Sequence, residues 1–333
     1  MDELAARVLG AALAALWAPG SLLASQSEGP ATSDLLAAAC AWCALIAAAL
    51  WLLGALVLRF GGLCGRAAPL RSVGKPLAAL ELRDEAFIAV NKLATAIFSF
   101  HLVRYCCLGS VAAAAPLAPL APAPLRWSRG LVDAADVAQL LDALARAAPA
   151  LAPAAATAAA TTTAPALLAW LLSALYGAAS VLLLFFVYDC AYAPFHLALH
   201  HGSVYALVHK HHHRSAAPHR GNADAINVHP LEFALGEYNH LLALHAVARL
   251  LAALGMPPLH VACVAVFVLG GGVLASLNHT RFDIRGPFGL FSVAWHDIHH
   301  HAFAHNYGQY TMAVDALMGT FRGVEDPRLA KEA

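Results

Sequence analysis

Apolar residues run through this chain in blocks long enough to cross a bilayer, for which a helix needs about 20 residues. The clearest block spans residues 35–58. A second, 86–108, carries Asn91, Lys92, His101 and Arg104. A third, 164–187, runs straight into a cluster of histidines. A fourth, 231–254, is interrupted by Glu237, His240, His245 and Arg249, and a fifth, 256–277, is strong. Gly255 and the pair Pro257-Pro258 predict the turn that makes a hairpin of the last two. Residues 4–17 are apolar but short and follow Asp2 and Glu3, unlike the basic start of a signal peptide; they read as an interfacial helix or a short extra span. Between the second and third blocks lies an Ala/Pro/Thr-rich stretch, 111–163, linker-like except for helical periodicity over 130–147. The expected organisation is an N-terminal membrane region (1–110) with one to three apolar helices, a linker (111–163), a chemistry-bearing segment (164–323) and a tail (324–333). The fold class is all-α, a polytopic membrane protein with about four to five transmembrane helices.

Composition agrees. The 333 residues are 60% hydrophobic and 12% charged with no net formal charge, which suits a membrane protein and offers nucleic acid no basic face. The seven cysteines form no disulfide or zinc framework; Cys40, Cys43, Cys106 and Cys107 lie inside apolar runs and read as packing residues.

The histidines change the picture. Eighteen of the nineteen follow residue 195, and most fall in three clusters: His196 and His200; His209, His212 and His213; His296, His299 and His300. Side chains at i, i+3 and i+4 share one side of a helix, so each cluster presents two or three imidazoles together. Imidazole suits iron, copper and zinc. Three such faces exceed what one ion needs and suffice for two. The predicted hairpin leaves the side of the first two clusters and returns to it, with His229 just before it and His279 just after. Arg59, Arg66, Arg71, Lys75 and Arg83 lie in a loop of the same parity, and the positive-inside rule makes that side cytosolic.

The order H-x-x-x-H, H-x-x-H-H, hairpin, H-x-x-H-H resembles the fatty acid hydroxylase/sterol desaturase superfamily of integral membrane di-iron oxidases. Eight residues separate His200 from His209, and 82 separate His213 from His296. The stretch from Trp295 to His300, with Asn306 to Thr311 and Gly319-Thr320, looks most like the sterol desaturase and sterol methyl-oxidase branches. The resemblance covers about residues 164–323. It implies a cytosolic helical cap holding a His-rich dimetal site, two iron ions (replaceable by zinc on isolation), dioxygen, and electrons from an external haem-protein carrier and its NAD(P)H reductase. It further implies a lipid substrate drawn from the bilayer and the endoplasmic reticulum as the location. The expected ligands are His196, His200, His209, His212, His213, His296, His299 and His300, with His279 and His229 added by position; the other reading of His229 is a cap on the hairpin helix. Asp189, Glu232 and Asp297 are either partners that orient a ligating ring or plain structural residues. Asp283 stands where some members carry a further histidine, and is either a ligand or none. His201, His211 and His301 point elsewhere by helical phase, His219 and His305 fall in loops, and His240, His245 and His260 read as packed or interfacial. His101 is structural or near a substrate channel. The chain also departs from many relatives by lacking Trp and Arg around His196 and by placing Pro194 in the helix before it, which predicts a kink.

Other classes fit less well. A metal transporter needs ligands at mid-membrane with carboxylates across helices. A haem carrier needs only isolated histidines on facing helices. A non-catalytic lipid- or metal-binding relative remains an alternative on the altered segment before His196.

Overall fold

In the computed structural model the apolar blocks become long helices, and the residues described are 32–64, 79–108 and 165–325 together with Leu125, Gln139, Asp142 and Arg146. The segment 4–17 and nearly all of the linker, including most of 130–147, lie outside them. The major helices are α1 (Thr32–Gly61), α2 (Leu82–Leu108), α3 (Pro165–Leu199), α4 (Pro230–Ala253), α5 (Val261–Asn278), α6 (Val293–Ala302) and α7 (Ala313–Met318). Among the described residues there is no strand, only an isolated bridge between Arg285 and Ser292. The fold is that of an all-helical polytopic membrane protein.

Among the described residues, four segments are long and apolar enough to cross a membrane: Leu36–Gly61, Leu82–Cys106, Leu171–Leu199 and Val261–Asn278. α4 reaches the length with 24 residues but carries too many charges to qualify by composition. Its pattern is inside out. Leu231, Leu235, Tyr238, Leu242 and Leu250 are exposed at helical spacing, while Glu232, Asn239 and His240 are buried. A helix facing lipid on one side and a polar interior on the other needs this arrangement. The turn after it has Gly255 at φ +63°, a conformation that favours glycine.

α3, α4 and α5 pack together around Leu184, Phe185, Leu244, Val247, Val264 and Phe267. α2 lies against α4, and α1 against α2 and α5. Polar bonds fix these pairs where apolar packing leaves rotation free. The Trp42 indole donates to the Ala96 carbonyl at 2.9 Å, and the Asn91 amide donates to the carbonyls of Ile226 and Val228 at 2.8 and 2.9 Å. α3 continues through Pro194 as one helix, so His196 sits on the spanning helix itself and His200 directly after its last residue.

One end of the bundle gathers the close of α1, the start of α2, the close of α3, the start of α4 and the close of α5. Leu58 meets Gly221, Asp84 meets His211, and the Gly221 amide donates to the His279 carbonyl. The loops after α3 and the helices α6 and α7 cover this end.

A candidate dimetal centre

Helix geometry delivers the histidines from four directions. α3 and the residue directly after it present His196 and His200 one turn apart. A π-helical turn, Tyr205–His209, followed by a 3-10 turn, His212–Arg214, presents the second cluster. Such π turns concentrate at functional sites. His279 is the residue that caps the C-terminus of α5, and α6 carries His296, His299 and His300.

These side chains converge into two groups. His196, His200, His209, His213 and His299 form one, and His212, His279, His296 and His300 form the other; within each, the ligand atoms lie within 4.8 Å of one another. Inside the first, the Nε2 atoms of His196 and His213 lie 3.1 and 2.9 Å from that of His209, and His299 Nε2 lies 3.2 Å from that of His213. In the second, His279 Nε2 lies 3.4 Å from His212 Nε2 and 3.2 Å from His296 Nε2, with His300 Nε2 3.2 Å from His296.

The far side of five of the nine rings explains why their Nε2 atoms face inward. Nδ1 of His196 donates to the Tyr307 carbonyl at 2.8 Å, that of His279 to Ala275 at 2.8 Å, that of His299 to His305 at 2.8 Å and that of His300 to Ser215 at 3.1 Å. His209 Nδ1 donates to the buried Glu232 carboxylate at 2.8 Å. A proton held on Nδ1 leaves the Nε2 lone pair free, the tautomer a metal requires. Burial, then the neighbouring imidazoles, hold His212, His213, His296, His299 and His300 well below the usual histidine range, and burial with His209 pulls His200 down to about 3. Burial also lowers His279. All therefore stay neutral and ligand-competent near pH 7. His200 Nε2 is buried with no hydrogen-bond partner, the position of a donor atom awaiting an ion. The donor set fits two transition-metal ions and contains no carboxylate.

Beside the second group opens a cavity of about 500 Å³. Its wall is mainly apolar, with Leu53, Phe98 and Val268, and it reaches His212, His279 and His296. Leu52, Leu56 and Leu269 line it and are also exposed on the outer apolar surface, so the cavity reaches the side of the molecule that faces lipid.

Residues 181–320 match the family model for fatty acid hydroxylase. Over these residues the chain is similar to the fatty acid hydroxylase/sterol desaturase superfamily. The chain is 30% identical over 138 residues to a probable Delta(7)-sterol 5(6)-desaturase of Neurospora crassa, covering 41% of this chain and 36% of that protein. It is 30% identical over 155 residues to a methylsterol monooxygenase of Aspergillus fumigatus, covering 44% of this chain and 48% of that protein. The chain thus spans less than half the length of either relative. No solved structure matches it.

Nine of the ten expected histidines come together; His229 does not. It is the N-cap of α4, where its Nδ1 accepts from the Leu231 amide at 3.3 Å, and it lies in neither group. Pro230 at the first helical position leaves Leu231 as the donor to satisfy, and the ring turns to it, packing edge-on to Phe87. Asp283 also stays outside, pairing with the exposed Arg285 at 3.5 Å. His260 caps α5 in the same way as His229 caps α4, and His101 pairs with Tyr238 at 2.6 Å.

The carboxylates divide. Glu232 orients a candidate ligand directly. Asp297 pairs with Arg281 at 3.0 Å and ties α6 to the loop after α5. Asp189 touches no ligand ring; it accepts from the amides of Gln309, Tyr310 and Thr311 at 2.9, 3.3 and 2.6 Å. Asp315 accepts from Tyr307 and Gly308 at 2.7 Å each. Together they hold the 307–311 turn whose Tyr307 carbonyl positions His196. The sequence reading missed Asp84, which is fully buried and holds His211 at 3.0 Å and Arg214 at 3.1 Å beside the second cluster. Its one signal was a carboxylate in the first turn of an apolar span.

Proposed function

We propose that this chain is a membrane-embedded, dioxygen-dependent di-iron oxidase that acts on a C–H bond of a lipid, by hydroxylation or desaturation. The observation that carries this reading is two groups of convergent neutral imidazoles, one of which opens onto an apolar cavity reaching the lipid-facing surface. His196, His200, His209, His213 and His299 would hold one iron, and His212, His279, His296 and His300 the other. Iron bound there supplies the redox chemistry that lets dioxygen oxidise an unactivated C–H bond. The protein's part is to keep the rings in one tautomer, to exclude water with the apolar wall, and to place a lipid carbon at the His212, His279 and His296 end. Both relatives are named for sterols, which favours a sterol over a fatty-acyl chain. Electrons come, on this reading, from a separate membrane haem protein and its NAD(P)H reductase, and the metal end faces the cytosol of the endoplasmic reticulum.

A metal transporter would place ligands at mid-membrane. Here both groups lie at one end of the helices and hold no carboxylate, which favours the oxidase.

The test is expression in fungal hosts lacking a sterol desaturase or a sterol methyl oxidase, with lipid profiling. The expected result is a new oxidised lipid that disappears without dioxygen and in His299→Ala. Iron-loaded, folded protein that oxidises no lipid in any host would overturn the reading.

A further inference from the structure

The cavity is not uniformly apolar. Glu237, Thr95, His240 and Tyr310 line one part of its wall. Within that patch, the Tyr310 hydroxyl and His240 Nε2 satisfy each other at 2.8 Å, and His240 Nδ1 donates to the Glu237 carbonyl at 3.0 Å. The Thr95 side chain lies beside the Glu237 carboxyl on this wall. A carboxyl has two oxygens and about four lone-pair sites, so one neighbouring hydroxyl leaves acceptor capacity facing an apolar space. Burying such a group without use is costly. It serves neither the metal groups nor an ion pair.

Its height in the bundle is fixed twice. On α4, Glu237 lies five residues and His240 eight residues beyond Glu232, the partner of His209. On α5, Gly271 lies eight residues before His279, and a Cβ there would lie 3.2 Å from His240 Nε2 and closer still to the Tyr310 hydroxyl. At a rise of 1.5 Å per residue, Glu237 sits about 8 Å and the His240–Tyr310 pair about 12 Å above the imidazole level. The remaining wall is mainly apolar, and the volume suits one ligand of small-molecule size.

We propose that Glu237, braced by Thr95, is the anchor for the hydroxyl group of a lipid alcohol whose apolar body fills the cavity. The anchored hydroxyl then lies within a few bonds of the carbon presented at His212, His279 and His296. The cavity thus selects a compact lipid alcohol oxidised close to its hydroxyl, not a long chain oxidised far from its polar head. This deepens the proposed lipid oxidase and rests on it only in taking the anchored lipid as the substrate.

The test measures binding, which needs neither iron nor dioxygen. Zinc-loaded protein in lipid nanodiscs is titrated with tritiated cholesterol and with its 3-O-methyl ether, which keeps the apolar body and removes the donor. The wild type is expected to bind the alcohol roughly tenfold more tightly than the ether, the scale of one hydrogen bond to a carboxylate. Glu237→Leu is expected to bind both alike. If that variant does not purify folded with wild-type zinc content, the isosteric Glu237→Gln takes its place and is expected to lose roughly fivefold of the preference. Equal binding of alcohol and ether by the wild type, no binding of either, or an unchanged preference in the folded variant would overturn the proposal. A preference for the alcohol in a protein that then oxidises no lipid would leave this site standing and remove only the oxidase reading.

Discussion

At the scale of single residues, the two hairpin histidines separate a candidate ligand from a cap. His279 Nε2 lies within 3.4 Å of His212 and His296, whereas His229 faces a backbone amide. His279→Ala is therefore expected to lower the metal content of the purified protein, because the second group falls from four imidazoles to three, while the protein stays in the membrane. His229→Ala should keep its full metal and lose only a capping bond, about 1 kcal/mol. Metal analysis of both variants decides; equal losses, or full metal in His279→Ala, would remove the hairpin from the site. Glu232 makes a subtler case, since it touches no ion. Glu232→Gln keeps an acceptor for His209 Nδ1 but removes its charge, and the carboxylate–imidazole pairing is worth roughly 10- to 100-fold in metal affinity. Chelator competition should show weakening of that order, and an unchanged affinity would make Glu232 a plain structural residue.

At the scale of helices, close packing sets the tolerances. Gly271 on α5 lets Tyr310 and His240 approach: a Cβ there would lie 2.6 Å from the Tyr310 hydroxyl. Tyr310 cannot retreat, because its ring is buried and Asp189 grips its backbone amide. Gly271→Ala is expected to cost about 1–3 kcal/mol as overpacking. Gly272→Ala meets only the Leu53 Cδ2 methyl, at 3.4 Å, and should be near neutral. Melting temperatures in one detergent check the pair; an equal response would mean that the Tyr310 contact is soft. The same scale shows what the sequence made legible. Apolar run lengths located α1, α2, α3 and α5, and the inward polar residues of α4 follow from a period of 3.6. The histidine spacing pointed to the side chains that converge but not to their partition. His209 and His213 join one group while His212 joins the other, and His296 and His300 leave His299 to the first. Positions i+3 and i+4 differ by about 100° around a helix, so one cluster can serve two ions. That division depends on contacts across 86 residues, such as His213 with His299, which no local period encodes. The backbone carbonyls of Tyr307, Ala275, His305 and Ser215 carry no side-chain signal at all.

At the scale of the whole molecule, burying so many neutral imidazoles makes stability depend on pH. Unfolded histidines titrate near 6.5, whereas His200 falls to about 3 and His212, His213, His296, His299 and His300 lie well below their usual range. The native state thus binds fewer protons than the unfolded chain in that window. Their contribution is complete above about pH 6.5 and is lost as pH falls from there toward about 3. The melting temperature of metal-free protein should drop between pH 7 and pH 4, and a flat profile would show that the rings are solvated.

Orientation in the membrane follows from the two ends of the bundle. The metal end holds the close of α1, where Leu58 meets Gly221, and the start of α2, where Asp84 meets His211. The opposite end holds the α4–α5 turn, where the Gln139 amide of the linker donates to the Gly255 carbonyl at 2.7 Å. Gln139 and the histidines therefore lie at opposite ends of the bundle, whichever compartments those face. The loop joining α1 to α2 and the helix ends beside it carry Arg59, Arg66, Arg71, Lys75 and Arg83, and an excess of such residues marks the cytosolic side. A glycosylation tag inserted within residues 111–163 should be modified in the lumen, and one beside His219 should stay unmodified. The reverse pattern would invert the molecule and place the metal end in the lumen. Modification of both tags would exclude α3, the one helix between them, as a crossing helix.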